Sequence, residues 1–248
     1  MSERAYRRAV RRAFATVPFY REQWARAGRM LTEPVPTPAG EVPGPPQALC
    51  PFHRPWAPER EPAPAPPDAL LRVLRQAGIT GRATVLEVRP ALLPAGGGRR
   101  VLLGPAAIVA SPQRRRELND AAHAGVADAW VVGHPGELDA LDLPGGLRRV
   151  HRGTVAETGS GPAPQVLHDP ALGYFGARVP DCGELHLDRR VFAHDRSGLV
   201  TLSLPHTRRP TLLDIVPPGA GTVRVARCPR HGTAVLRPRT ATTAGQPP

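Results

Sequence analysis

The sequence predicts an α/β protein with an α+β C-terminal part, on three observations. Apolar residues recur at helical spacing near the N-terminus. Strand, helix and strand patterns succeed one another between residues 68 and 145. Beyond 146 the helical signal gives way to short strand-like runs. The expected organisation is a helical segment over 1–30, a proline-rich linker over 31–67 and a reduced α/β core over 68–145. A β-rich module over 146–238 and a disordered tail over 239–248 complete it.

Tyr6, Val10, Ala13, Phe14 and Val17 define one face of a helix, with Arg4, Arg7, Arg8, Arg11 and Arg12 largely elsewhere on its wheel. Pro18 ends that helix and opens a second through Phe19, Tyr20 and Trp24, closed by Gly28. The pair reads as a helical hairpin packed on the body, or as a basic surface for a membrane or partner. The prolines between 33 and 67 exclude regular helix or sheet there, so the segment is expected to be an extended passive spacer rather than a proline-rich ligand, with Cys50, Phe52, His53 and Trp56 available to pin it. Asp68 can cap a helix through Leu70, Leu71, Val73 and Leu74 that Gly78 stops. Strands are expected at Thr84–Arg89, Arg100–Leu103 and Trp130–Val132, with a helix from Ser111 to Gly125. Further strands are expected at Leu147–His151, Gln165–His168, Leu185–Ala193, Leu199–Leu204, Leu212–Val216, Val223–Ala226 and Ala234–Leu236.

The formal charge of +12 raises a nucleic-acid reading. Two features oppose it. Every one of the 33 basic residues is arginine, and alanine, glycine and proline abound, as in the product of a GC-rich genome. There is also no recognisable nucleic-acid-binding motif, so charge alone supplies affinity without readout and nucleic acid is not an expected partner. The three cysteines are too few and too scattered for a disulfide framework. No stretch approaches the roughly 20 apolar residues of a membrane span, and the arginine-rich N-terminus lacks a signal-peptide core. The expected compartment is the cytoplasm.

One constellation carries chemistry. Cys182-Gly-Glu-Leu-His186 and Cys228-Pro-Arg-His231-Gly232 each place a thiol and an imidazole within one short turn. Together they make a Cys2His2 set, the donor complement of structural zinc. Pro229 and Gly232 suit a tight knuckle, and pairing of the intervening strands would bring the two turns together. Glu184 and Asp188 should share the His186 face of a strand, as partners of the ligands or as solvent-facing charges.

These residues also carry a resemblance. Cys182 and His186, the hairpin ending Gly198-Leu-Val-Thr-Leu-Ser203, the segment Pro210-Thr-Leu-Leu-Asp214 and the knuckle at Cys228 resemble the C-terminal stretch of the phenylacetate–CoA ligase family. These are adenylate-forming enzymes that include the CapK-like proteins. Val17-Pro18-Phe19-Tyr20-Arg21 resembles that family's opening helix. The resemblance covers roughly residues 5–28 and 165–237, and it implies acyl-CoA ligation and, in some members, a zinc ion on the cysteines and histidine.

The departures from that pattern bear on ATP. The family's hydroxyl- and glycine-rich phosphate loop has no counterpart, since Gly96-Gly97-Gly98-Arg99-Arg100 lacks hydroxyls and Gly159-Ser160-Gly161 lies among prolines. The tyrosine-glycine-x-threonine-glutamate segment would fall near Leu167-His168-Asp169-Pro170-Ala171. The ribose aspartate would fall near Pro218 and its neighbouring arginine at Leu213, and the chain has no lysine at all. ATP is therefore not an expected cofactor.

Hydrolase chemistry finds Ser203, His168, Asp169 and His206 but no Gly-x-Ser-x-Gly elbow. His168 and Asp169 are the catalytic candidates, against a plain turn in which Asp169 caps the backbone before Pro170. The expected role is non-catalytic: an accessory or binding protein with a protein partner, such as a biosynthetic enzyme. The alternatives are an enzyme reusing the acyl or CoA-thioester pocket without ATP, and a basic nucleic-acid or membrane-surface binder.

Overall fold

The computed structural model describes residues 3–28, 34–44, 46–57, 68–79, 84–88, 100–103, 129–140, 147–159, 165–206 and 210–239. The helix expected over Ser111–Gly125, the glycine run at 96–98, Ser160-Gly161 and the tail from 240 lie outside them. The fold is mixed α/β.

Two helices open the chain, α1 (Glu3–Thr16) and α2 (Pro18–Arg26), with the break at Val17 and Pro18 in the first turn of the second. Tyr6, Ala9, Val10 and Ala13 of α1 and Tyr20 and Trp24 of α2 are buried, so the hairpin packs on the body by its apolar face. Arg4, Arg7, Arg8 and Arg11 remain exposed.

A four-stranded sheet lies against this hairpin. Its order is β1 (Thr37–Pro38), β11 (Ile215–Val216), β10 (Leu199–Ser203) and β9 (Phe192–Arg196). The first strand corrects the reading of 31–67 as a spacer. Thr37 pairs with Ile215 in parallel register, and its amide donates to the Asp214 carbonyl at 2.8 Å. Further along, the Thr211 amide donates to the Leu49 carbonyl and the Phe52 amide to Thr16. Proline removes a donor but keeps a carbonyl and an extended backbone, so it is tolerated on a short edge strand.

The second sheet has nine strands among the described residues. From one edge its order is β12 (Val223–Arg227), β13 (Ala234–Pro238), β8 (Leu185–Leu187), β7 (Gly173–Arg178) and β6 (Val166–Asp169). It continues through β5 (Arg148–Gly153), β4 (Ala129–Gly133) and β2 (Thr84–Val88) to β3 (Arg100–Leu103). Strands β3, β2, β4, β5 and β6 are parallel, and β6 through β12 are antiparallel. One continuous sheet therefore crosses residue 145. Helix α3 (Ala69–Gln76) packs on β7, and α4 (Pro135–Asp139) follows β4. Side chains alternate across the sheet. Val166, Tyr174 and Ala177 join Leu70, Val73 and Leu74 of α3 in one core. Leu167 and Phe175 point the other way, into the core shared with α1, α2 and β10.

The strand expected over Leu185–Ala193 is two strands in different sheets. Asp188 breaks it: Oδ1 accepts the Arg190 amide at 2.9 Å, and the Asp188 carbonyl accepts the Val191 amide. Leu212–Val216 shortens to two strand residues, because Thr211–Leu213 is held by the Tyr20 hydroxyl instead of a ladder. That hydroxyl accepts the Leu213 amide at 2.8 Å and donates to the Thr211 carbonyl at 3.2 Å.

Candidate metal centre

Two neighbouring hairpins build the centre. The β7–β8 turn carries Cys182, and His186 follows it on β8. The β12–β13 turn carries Cys228 and His231. Strand β13 pairs antiparallel with β8, Val235 opposite His186, which brings the start of β13, and the Cys228–His231 turn before it, beside His186. In one turn the Gly183 amide donates to Val179 at 2.8 Å. In the other the Gly232 amide donates to Cys228 at 2.8 Å. Gly183 and Gly232 have φ of 71° and 66°, a left-handed backbone that glycine adopts without strain.

The four donors converge, their ligand atoms all lying within 4.8 Å of one another. Cys182 Sγ is 3.0 Å from His186 Nε2, and Cys228 Sγ is 3.4 Å from His231 Nδ1. Tetrahedral zinc, with bonds of about 2.3 Å to sulfur and about 2.0 Å to nitrogen, spaces its donors roughly 3.3–3.8 Å apart. Small side-chain movements therefore turn this cluster into a coordination shell, and the set can hold a metal ion. The two histidine rings meet edge to face, centroids 5.0 Å apart.

His186 is oriented from behind. Its Nδ1 lies 2.7 Å from Thr233 Oγ1, which turns Nε2 toward Cys182. Metal-binding histidines are commonly fixed through their second nitrogen in this way. Burial, and then the neighbouring His231, hold His186 below the ordinary histidine range. That favours the neutral imidazole that coordination requires. Thr233 had no signal in the cysteine–histidine spacing, and its place beside His186 comes from the pairing of β13 with β8.

Glu184 and Asp188 are not partners of these ligands. Glu184 Oε1 pairs with Arg237 at 2.8 Å. Asp188 is buried and pairs with Arg72 of α3 at 2.7 Å, so it is not solvent-facing either. The expected alternation does not reach them because β8 spans only Leu185–Leu187, leaving Glu184 and Asp188 outside the strand.

His168 and Asp169 form a turn. Asp169 Oδ1 accepts the Ala171 amide at 2.8 Å and the Leu172 amide at 3.3 Å, closing the β6–β7 hairpin after Pro170. The His168 ring lies against Tyr174, centroids 4.6 Å apart. Ser203 bonds to Asp214, its hydroxyl donating to Oδ1 at 3.1 Å and accepting the Asp214 amide at 2.8 Å. Ser203 is thus engaged on both sides by Asp214.

Among the described residues no helix is long and apolar enough to cross a membrane. No protein-family model matches the chain, and neither does any characterised protein.

Proposed function

We propose that this chain is a non-catalytic accessory or binding protein, related to the adenylate-forming ligases, whose β-rich end is closed by a structural zinc ion. Cys182, His186, Cys228 and His231 are its ligands. The observation that carries the reading is the convergence of four donors from two hairpins within 4.8 Å, with Thr233 behind His186. Two thiolates and two imidazoles in a tetrahedral shell suit zinc above other common ions. The ion would link the β7–β8 and β12–β13 turns and so contribute directly to folding. The non-catalytic part of the reading is supported by the commitment of Asp169 to backbone amides and of Ser203 to Asp214. The missing phosphate-loop hydroxyls and the absence of lysine add to it. We place the protein in the cytoplasm beside a biosynthetic enzyme as its partner.

Elemental analysis of protein purified without chelator tests the metal. About one equivalent of zinc is expected, lost in Cys228→Ser, and less than about a tenth of an equivalent in the wild type rejects the site. ATP–pyrophosphate exchange with a panel of carboxylic acids tests the rest: exchange above background rejects the non-catalytic reading.

A further inference from the structure

We infer that His231 is an exchangeable fourth donor, and that the cleft beside it delivers a thiol with an apolar body to the position it leaves. This rests on the zinc reading above and concerns what that site does.

The four donors are not equally held. Cys228 and His186 are 1% and 4% exposed, Cys182 is half-buried, and His231 is exposed. His186 is braced by Thr233 through its second nitrogen. The Cys228 amide is tied to the Thr233 carbonyl at 2.9 Å, and the Cys182 amide to Val179. His231 touches Cys228 and the His186 ring, and no hydrogen bond from the described residues fixes its outer nitrogen. Two sulfurs and one nitrogen held firmly, with a fourth position free to exchange, is the donor pattern of zinc sites that accept an external ligand.

A cleft leads to that position. It encloses about 790 Å³, within the roughly 300–1,000 Å³ of small-molecule sites. The cleft runs between the start of β9 and the end of β12, both edge strands among the described residues. Leu187, Val191, Phe192 and Val225 supply an apolar wall, with Asp188, Arg189 and Arg227 also on the lining. His186, His231 and Thr233 supply the wall at the metal centre. A ligand seated there has an apolar body, and its donor atom meets His231. Zinc in a sulfur-rich shell favours a soft donor, which selects a thiol over a carboxylate. In the exchange the thiol sulfur replaces the His231 nitrogen as donor, and the S–H proton is released to solvent. No oxidant or reductant is needed.

Cobalt(II) replaces zinc as a spectroscopic reporter, and 2-phenylethanethiol is the probe. In the full chain loaded with cobalt, the probe is expected to raise the sulfur-to-cobalt charge-transfer absorption, as the sulfur count goes from two to three, while the tetrahedral visible bands persist. His231→Ala should still take one cobalt and respond to the thiol at lower concentration. Val225→Asp puts a charge into the apolar wall, and Arg189→Trp fills the cleft from an exposed position that spares the core. Each should keep the cobalt spectrum and weaken the thiol response about tenfold. Loss of cobalt from H231A as complete as from Cys228→Ser overturns the proposal, since the shell is then closed. So does a thiol that strips cobalt into solution, a wild-type response in both cleft variants, or a response to 3-phenylpropionate with none to the thiol. Wild-type protein that takes no cobalt at all rejects the metal centre itself, which separates that failure from these.

Discussion

The hydroxyl of Tyr6 on α1 donates to Oδ2 of Asp214 at 2.7 Å, joining positions 208 residues apart. Asp214 is fully buried with φ of 50°, and its carboxylate also meets Arg196 at 3.3 Å and the Ser203 hydroxyl at 3.1 Å. Arg196 closes the ring by donating to the Tyr6 oxygen at 2.9 Å. This network fastens the N-terminal hairpin to the four-stranded sheet. Tyr6→Phe removes one donor to a buried carboxylate and should cost about 1–3 kcal/mol in urea denaturation. Metal uptake by the Cys/His cluster should match the wild type's, because network and cluster are built on different strands. A variant as stable as the wild type would show that the Tyr6–Asp214 bond adds nothing to the docking of the hairpin.

Thr233→Val tests the brace behind His186. The change keeps the side-chain volume and removes the oxygen 2.7 Å from Nδ1. Loss of such a partner typically weakens metal affinity by about 10–100-fold. Competition with a chromophoric chelator measures it, and an unchanged affinity would remove Thr233 from the site.

Asp169 carries a pH dependence of defined sign. Burial pushes its carboxyl above the ordinary aspartate range, against the Ala171 and Leu172 amides that favour the charged form. The folded chain thus holds the proton more tightly than the unfolded chain. The resulting stabilisation is full below the unfolded value of about 3.9 and is lost as pH rises through the raised folded value. Asp169→Asn keeps the acceptor oxygen and cannot titrate, so D169N should gain stability relative to wild type as pH rises through that window. Denaturation midpoints against pH check this, and a relative loss over the same window contradicts it. Asp169→Ala removes the turn's acceptor and should cost about 1 kcal/mol.

Arg72 and Asp188 form a buried pair between α3 and the end of β8, their side chains 13% and 2% exposed. Arg72→Met leaves Asp188 charged without that partner and should cost about 3–5 kcal/mol. Arg7→Ala breaks the exposed Arg7–Glu3 pair within one helix and should change stability by less than about 0.5 kcal/mol. Equal effects in thermal denaturation would show that Asp188 finds another partner.

Local physics made much of the fold legible. Helical periodicity located α1 and α2, Asp68 and Gly78 bracketed α3, and apolar runs located β2, β3, β4 and β10. Strand β7 escaped detection because Gly173-Tyr-Phe-Gly-Ala-Arg178 shows neither alternation nor a β-branched run. It is buried on both faces, which removes the period-two signal. The proline segment misled for a related reason. Proline density reports on what backbone donors are missing, whereas docking was settled by the remaining amides of Thr37 and Phe52, by the Leu49 carbonyl and by Leu49 and Cys50 finding a core.

The Cys182–His186 and Cys228–His231 spacings determined by themselves that each turn can offer two donors to one ion, because a short turn limits how far its side chains can separate. Only the tertiary structure decided that the two turns meet, since pairing of β13 with β8 depends on register between distant segments. It also decided which polar residues serve the cluster. Thr233 comes to His186 through that register, while Glu184 and Asp188 are drawn to Arg237 and Arg72, partners 53 and 116 residues away. Spacing along a chain constrains neighbours, and burial selects among residues that folding has brought together.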